Sequence, residues 1–144
     1  LWFGLADVPA FHPTFKNEVR PFLQLLVEGA AGPVTLVNRS RLEERFIDGV
    51  TGSALRLRHM SRAVVPLGLP FLRAAVSDEF FFSLNAAGTA SLGPDRNRLF
   101  VGLNVKLDAL QLEAGYLNEF AWQRFTSEDR VNHVVMVAVV WTAP

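Results

Sequence analysis

Across residues 97–119, apolar and polar side chains alternate at every second position through two runs that meet at Asp108 and Ala109. Leu99, Val101, Leu103, Val105 and Leu107 fall on one side of the first run, with Arg98, Asn104 and Lys106 on the other. Leu110, Leu112, Ala114 and Tyr116 continue the apolar side in the second run, opposite Gln111, Glu113 and Glu119. A helix would scatter these residues around its axis, whereas extended chain puts positions i, i+2 and i+4 on one face. The stretch therefore reads as a β-hairpin. Folding it about Asp108 and Ala109 sets Arg98 against Glu119, Asn104 against Glu113 and Gly102 against Gly115, which matches the polar face with itself.

The same period repeats along the chain. A remnant of a strand is expected at residues 1–6, followed by a loop over 7–15 with breakers at Pro9 and Pro13. A strand over 16–28 carries Val19, Pro21, Leu23, Leu25 and Val27 on one side and Glu18, Arg20, Gln24 and Glu28 on the other. Residues 29–32 supply a turn into 33–47, where Arg39, Arg41, Glu43 and Arg45 share the polar face. Closing that turn at Ala31 and Gly32 would pair Arg20 with Glu43 and Glu18 with Arg45. A loop over 48–52 leads to 53–67, with Arg56, Arg58 and Arg62 polar, and Gly68-Leu69 is expected to close a two-residue hairpin into 70–84. That closure would place Arg58 opposite Glu79 and His59 opposite Asp78. Loops over 85–96 and 123–129 flank the central hairpin, and 130–141 is the last and most apolar strand. No helical period of useful length occurs.

A length of 144 residues bounds the chain to a single domain over 1–144. Its 14 basic and 14 acidic residues cancel, which removes the electrostatic basis for nucleic-acid binding. Without cysteine there is no disulfide framework, thiolate nucleophile or cysteine zinc site. No nucleotide loop or metal-spaced cluster is present, so neither a cofactor nor a metal is expected. The apolar run over 134–141 is too short for a transmembrane helix, which takes about 20 residues.

Alternation does not by itself say which face points inward. A soluble, lipocalin-like binding barrel would hide the apolar face, and a membrane barrel would display it. Three features favour the membrane. Seven runs of about 12 to 15 residues are ample for the roughly 9 to 11 that a strand needs to cross a bilayer. Short turns alternate with longer loops. Aromatic residues on the apolar face gather near strand ends: Phe46, Phe80, Phe82, Tyr116, Phe120 and Trp122 toward the long loops, Trp141 toward the other rim. The expected fold is thus an all-β, antiparallel up-and-down (meander) β-barrel of outer-membrane type, with seven complete strands plus a remnant. Such barrels have an even strand count, so the native barrel is expected to extend upstream of Leu1.

Several segments also carry a family likeness, in order along nearly the whole chain. They are Glu18-x-Arg20-Pro21-Phe22, Arg39-x-Arg41-Leu42-Glu43-x-Arg45-Phe46, Leu55-Arg56-Leu57-Arg58, Asp78-Glu79-Phe80-Phe81, Asn97-Arg98-Leu99-Phe100-x-Gly102-Leu103, Leu112-Glu113-x-Gly115-Tyr116-Leu117-Asn118 and Asn132-His133. In these the chain resembles the bacterial family called domain of unknown function 2490. The resemblance implies a Gram-negative envelope β-barrel, longer at its N-terminus than this chain, and a location in the bacterial outer membrane among its lipids. It brings no established activity and hence no catalytic residue. The ending Trp141-Thr142-Ala143-Pro144 departs from the family's tendency to finish on an aromatic residue.

Two candidate sites follow. The polar face gathers Glu18, Arg20, Arg39, Arg41, Glu43, Arg45, Arg56, Arg58, Glu79, Arg98, Glu113 and Glu119, with Arg62, Arg73, Arg96, Lys106 and Glu28 beside them. An arginine-rich lumen suits a structural or passive-transport barrel that binds a small anion, and better still a narrow barrel filled by ion pairs, since unpaired charges in a confined interior are costly. On the apolar face, His59 and Ser61 with Asp78 across the hairpin resemble the base, nucleophile and orienting group of an outer-leaflet lipid esterase or phospholipase. A β-bulge at Asp78-Glu79 would instead turn Asp78 inward. His12 and His133 read as a solvated loop residue and a rim residue.

Overall fold

The computed structural model describes residues 2–8, 17–87, 91–122 and 129–141, with side chains described from Asn17 onward. The alternation becomes eight strands: β1 (Trp2–Val8), β2 (Glu18–Ala31), β3 (Val34–Ile47), β4 (Ala54–Pro66), β5 (Leu72–Ser83), β6 (Gly93–Leu107), β7 (Leu110–Ala121) and β8 (Arg130–Trp141). They form one antiparallel meander in the order β1-β2-β3-β4-β5-β6-β7-β8. Seven strands are long and β1 is short. There is no helix among the described residues, and hence none long and apolar enough to cross a membrane.

The sheet is not closed into a barrel. Among the described residues β1 pairs only with β2 and β8 only with β7. Closure needs the two outer edges to meet at a stagger set by strand number and tilt. The seven residues of β1 cover only half of the fourteen-residue β2, so the first edge offers a partner half that strand's length.

The central hairpin has the register its alternation requires. Arg98 faces Glu119, Gly102 faces Gly115 and Asn104 faces Glu113, and the chain turns at Asp108 with φ at +47°. The other two hairpins close differently. Ala31 pairs with Val34 around Gly32 (φ +60°) and Pro33, so Phe22, not Arg20, lies opposite Glu43, and Glu18 lies opposite Ile47. Pro66 pairs with Arg73 around a loop that includes Gly68 (φ +80°), so Arg58 faces Phe81 and Asp78 faces Ser61. Each correction moves the register by two residues, which changes partners but leaves every side chain on its face.

One face of the sheet is the interior. Ala54, Ala75, Phe81 and Phe100 are buried there together with Glu18, Glu43, Arg56, Glu79, Ser83 and Asn104. The opposite face displays its apolar residues: on β8, Val135 is 82% exposed, Val137 70% and Trp141 76%. Phe100 lies across the Gly102–Gly115 pair, where a methyl group on Gly102 would come within 2.5 Å of the ring and of the Ala114 carbonyl oxygen. Both glycines therefore clear room for an interior ring against the backbone.

Candidate functional site

Successive interior rows run across the strands. Arg39, Met60, Glu79, Arg98, Glu119 and Asn132 form one. The neighbouring interior row is Gln24, Arg41, Arg58, Phe81, Arg96, Ala121 and Arg130. One row supplies carboxylates, and the next stacks arginines about a ring.

Five glutamates organise the charges. Glu18 accepts hydrogen bonds from Arg20 (2.7 and 2.8 Å) and from Arg45. Glu43, 2% exposed, accepts from Arg56 (2.6 and 3.0 Å) and Arg58 (2.9 Å), with Arg41 at 3.6 Å. Glu79 accepts from Arg39 (2.8 Å) and Arg58 (2.9 Å). Glu119 accepts from Arg96 (3.0 Å), Arg98 (2.7 Å) and Asn132 (3.0 Å). Glu113 holds Arg62 through both guanidinium ends and takes Asn104 at 3.3 Å. Thus Glu18 keeps Arg45 diagonally after the register shift, whereas Arg20 turns to Glu18 and leaves Glu43 to Arg56 and Arg58.

The interior also contains aromatic rings that a polar-face reading overlooks. Phe22, Phe81 and Phe100 occupy inward positions by the same parity that places the arginines. Arg41 lies 4.1 Å from the centre of Phe22, and Arg62 lies 6.0 Å from that of Phe100. Four guanidiniums surround Phe81, those of Arg58 at 4.7 Å, Arg98 at 5.0 Å, Arg56 at 5.4 Å and Arg96 at 5.9 Å. Such planar cations stack on ring faces while their edges remain free for carboxylates. The signal in the sequence was parity alone: Phe81 is odd in a strand whose inward residues are odd.

The outward polar set has a different geometry from the expected triad. The Ser61 hydroxyl lies 3.4 Å from His59 Nε2 but donates to Asn38 Oδ1 at 2.9 Å. The other ring nitrogen, His59 Nδ1, lies 2.9 Å from the Ser40 hydroxyl. Asp78 remains on the outer face and accepts from Asn97 Nδ2 at 2.6 Å. The bulge of this strand pair lies not at Asp78-Glu79 but between Phe81 and Phe82, where the pairing jumps from Arg96 to Pro94 and leaves Asp95 extra. Among the described residues no carboxylate holds His59, so base and acid are not assembled there. The set belongs to an outward polar belt: Asn38, Ser61, Asp78, Leu99, Asn118 and His133 follow one another across the sheet, and His133 stacks on and hydrogen-bonds Tyr116.

Further along that face, Trp122 meets Phe120 (4.8 Å between centres) and Phe80 (5.9 Å), edge to face, at the end next to the longer connections. His12 lies outside the described residues, as do most of the first long loop, the central part of the 85–96 loop and nearly all of the last. Among the described residues no group of three histidine, aspartate or glutamate side chains could hold a metal.

The family model described as protein of unknown function (DUF2490) matches residues 1–132. No curated protein and no solved structure matches the chain.

Proposed function

We propose that this chain, which belongs to the DUF2490 family, forms the wall of an outer-membrane β-barrel in a Gram-negative envelope, a structural barrel whose interior is filled by arginine–glutamate pairs. The observation that carries this reading is the inverted polarity of the sheet. Charged side chains occupy the inner face, and valines and Trp141 stand exposed on the outer one. In water, exposing that apolar face would be unfavourable by about 25 cal/mol per Å². In a bilayer it is the face that lipid solvates. A lipocalin-like barrel has the opposite arrangement, with an apolar ligand cavity inside.

The interior pairs reach over intervening strands, Arg39 to Glu79 past β4 and Arg62 to Glu113 past β5 and β6. Side chains that meet across a lumen fill it. This favours a scaffold over an open pore.

The test is refolding of the urea-denatured full chain into phosphatidylcholine vesicles. The expected result is β-sheet circular dichroism, protection of the arginines from trypsin, and quenching of tryptophan emission by brominated lipid. Planar-bilayer recordings should show no open-channel steps. A chain that folds in buffer and stays in the aqueous phase with vesicles present overturns the membrane reading. Regular conductance steps would convert the scaffold into a channel.

A further inference from the structure

We propose that the arginines stacked around Phe81 form a binding site for a tetrahedral oxyanion of the phosphate type, entered from the end of the sheet that carries the longer connections. Three observations converge there. The first is charge. Among the described residues the carboxylates paired with the four guanidiniums on Phe81 are Glu43, Glu79, Glu119 and Asp95, and these four also serve Arg39 and Arg41, a local excess of two positive charges. The second is donor supply. Arg58 Nε and Arg96 Nε, both against Phe81, are buried without a hydrogen-bond partner. Arg96 and Arg98 share one carboxylate oxygen, Glu119 Oε2, through one nitrogen each, so the cluster holds more guanidinium N–H groups than acceptors. The third is preorganisation. Phe81 is 2% exposed, and its ring holds four guanidiniums within 6 Å of its centre.

Guanidiniums in excess of their carboxylates favour a further anion among them, and guanidinium edges match a phosphate's oxygens in bidentate pairs. Access is present. Phe81 is two residues from the end of β5, Arg56 two from the start of β4 and Arg96 three from the start of β6. The side chains of Arg96 and Arg98 keep 33% and 32% of their surface. The ligand class is thus an inorganic phosphate or a phosphomonoester. The site rests on the charged face being an interior, as in the barrel reading, and not on the interior being open from end to end.

The experiment is titration of the full chain, folded in phosphatidylcholine vesicles, with inorganic phosphate followed by ³¹P linewidth, with insertion scored separately by trypsin protection. Saturable binding that survives chloride at matched ionic strength is expected. Arg96→Gln with Arg98→Gln should weaken it by roughly tenfold or more, and Arg96→Lys with Arg98→Lys, which keeps charge but loses the fork, should weaken it measurably. Equal binding by the lysine variant, or displacement of phosphate by an equal concentration of chloride, overturns the site in favour of a diffuse positive field. If the variants do not insert, the wild-type urea midpoint decides. An increase with phosphate over chloride supports the site, and its absence overturns it. A midpoint raised by phosphatidylglycerol vesicles but not by inorganic phosphate overturns the phosphate site in favour of a lipid headgroup. Failure of the wild-type chain to insert overturns the barrel reading, whereas insertion without phosphate binding overturns only the site.

Discussion

Arg62 on β4 and Glu113 on β7 form a two-ended ion pair although two strands lie between them. The residue of β4 in register with Glu113 is Pro66, through Asn104 and Arg73, four positions from Arg62. On a flat sheet, three strand spacings of ~4.8 Å and four residues of ~3.4 Å would put their backbones about 20 Å apart. An arginine and a glutamate do not span that distance together. The pair thus records the curvature of the sheet and links its middle to its far side.

This contact is expected to couple strands that share no backbone hydrogen bond. A double-mutant cycle with Arg62→Ala and Glu113→Ala, read by urea unfolding in vesicles, should give a coupling energy of about 1 to 3 kcal/mol. Additive effects would mean that the pair contributes nothing to holding the curl.

Glu43 should be the most sensitive single carboxylate. It is nearly sealed from solvent and accepts from both Arg56 and Arg58, so Glu43→Ala leaves two guanidiniums buried beside each other. A loss of about 3 to 5 kcal/mol is expected, as for other pairs broken from one side. Glu28→Gln, at an exposed position near the turn, should stay within about 0.5 kcal/mol of the parent. Equal unfolding midpoints for the two variants would show that the interior network is not stabilising.

Gly102 and Gly115 should not accept even a methyl group. A Cβ on Gly102 would meet the Ala114 carbonyl oxygen and Phe100, both at 2.5 Å, and backbone does not yield as a flexible side chain does. Gly102→Ala should cost about 1 to 3 kcal/mol. Phe100→Ala in the same chain should recover only part of that loss, because the carbonyl contact persists. Gly29→Ala, where nothing lies within 4 Å, is the matched control and should be near neutral.

Much of this architecture was legible in the sequence because alternation assigns faces without knowledge of partners. Arg56, Glu79 and Glu113 sit on the inner face, and Leu99 and Val137 on the outer one, as period two requires. Partners were legible only where the turn was unambiguous. Asp108-Ala109 admits one closure, and the whole β6–β7 register followed. Gly32-Pro33 competed with Ala31-Gly32, and the chain beyond Gly68 closes a longer loop than Gly68-Leu69, so both hairpins slid by two residues. Such a slide costs a sequence reading its ion pairs but not its faces. It also moved Asp78 from His59 to Ser61, and with it the apparent acid of a triad. The curvature that brings Arg62 to Glu113 has no local signature, because it sums small twists over four strands.

The outward histidine and serine are therefore expected to be catalytically silent. With Asp78 held by Asn97 and His59 Nδ1 against the Ser40 hydroxyl, no carboxylate among the described residues supports the ring as a base. The full chain in mixed micelles should cleave short-chain fatty esters no faster than its Ser61→Ala variant. A rate lost specifically on Ser61→Ala would restore a hydrolase.

The last expectation concerns depth in the bilayer, and it separates lipid from water as the solvent of the outer face. Val131 and Val137 both point outward on β8, one at the second residue of the strand and the other well inside it. Both are substantially exposed, so in water an arginine at either place would be solvated and near neutral. In a membrane the cost depends on depth. Val137→Arg should destabilise the inserted chain by about 2 to 4 kcal/mol and Val131→Arg by at most about 1 kcal/mol. The readout is the urea midpoint of each variant in phosphatidylcholine vesicles. Equal midpoints for the two would place both positions in the same solvent and remove the bilayer from the outer face. A graded loss would place Val137 deeper in the bilayer than the Arg130 end of β8.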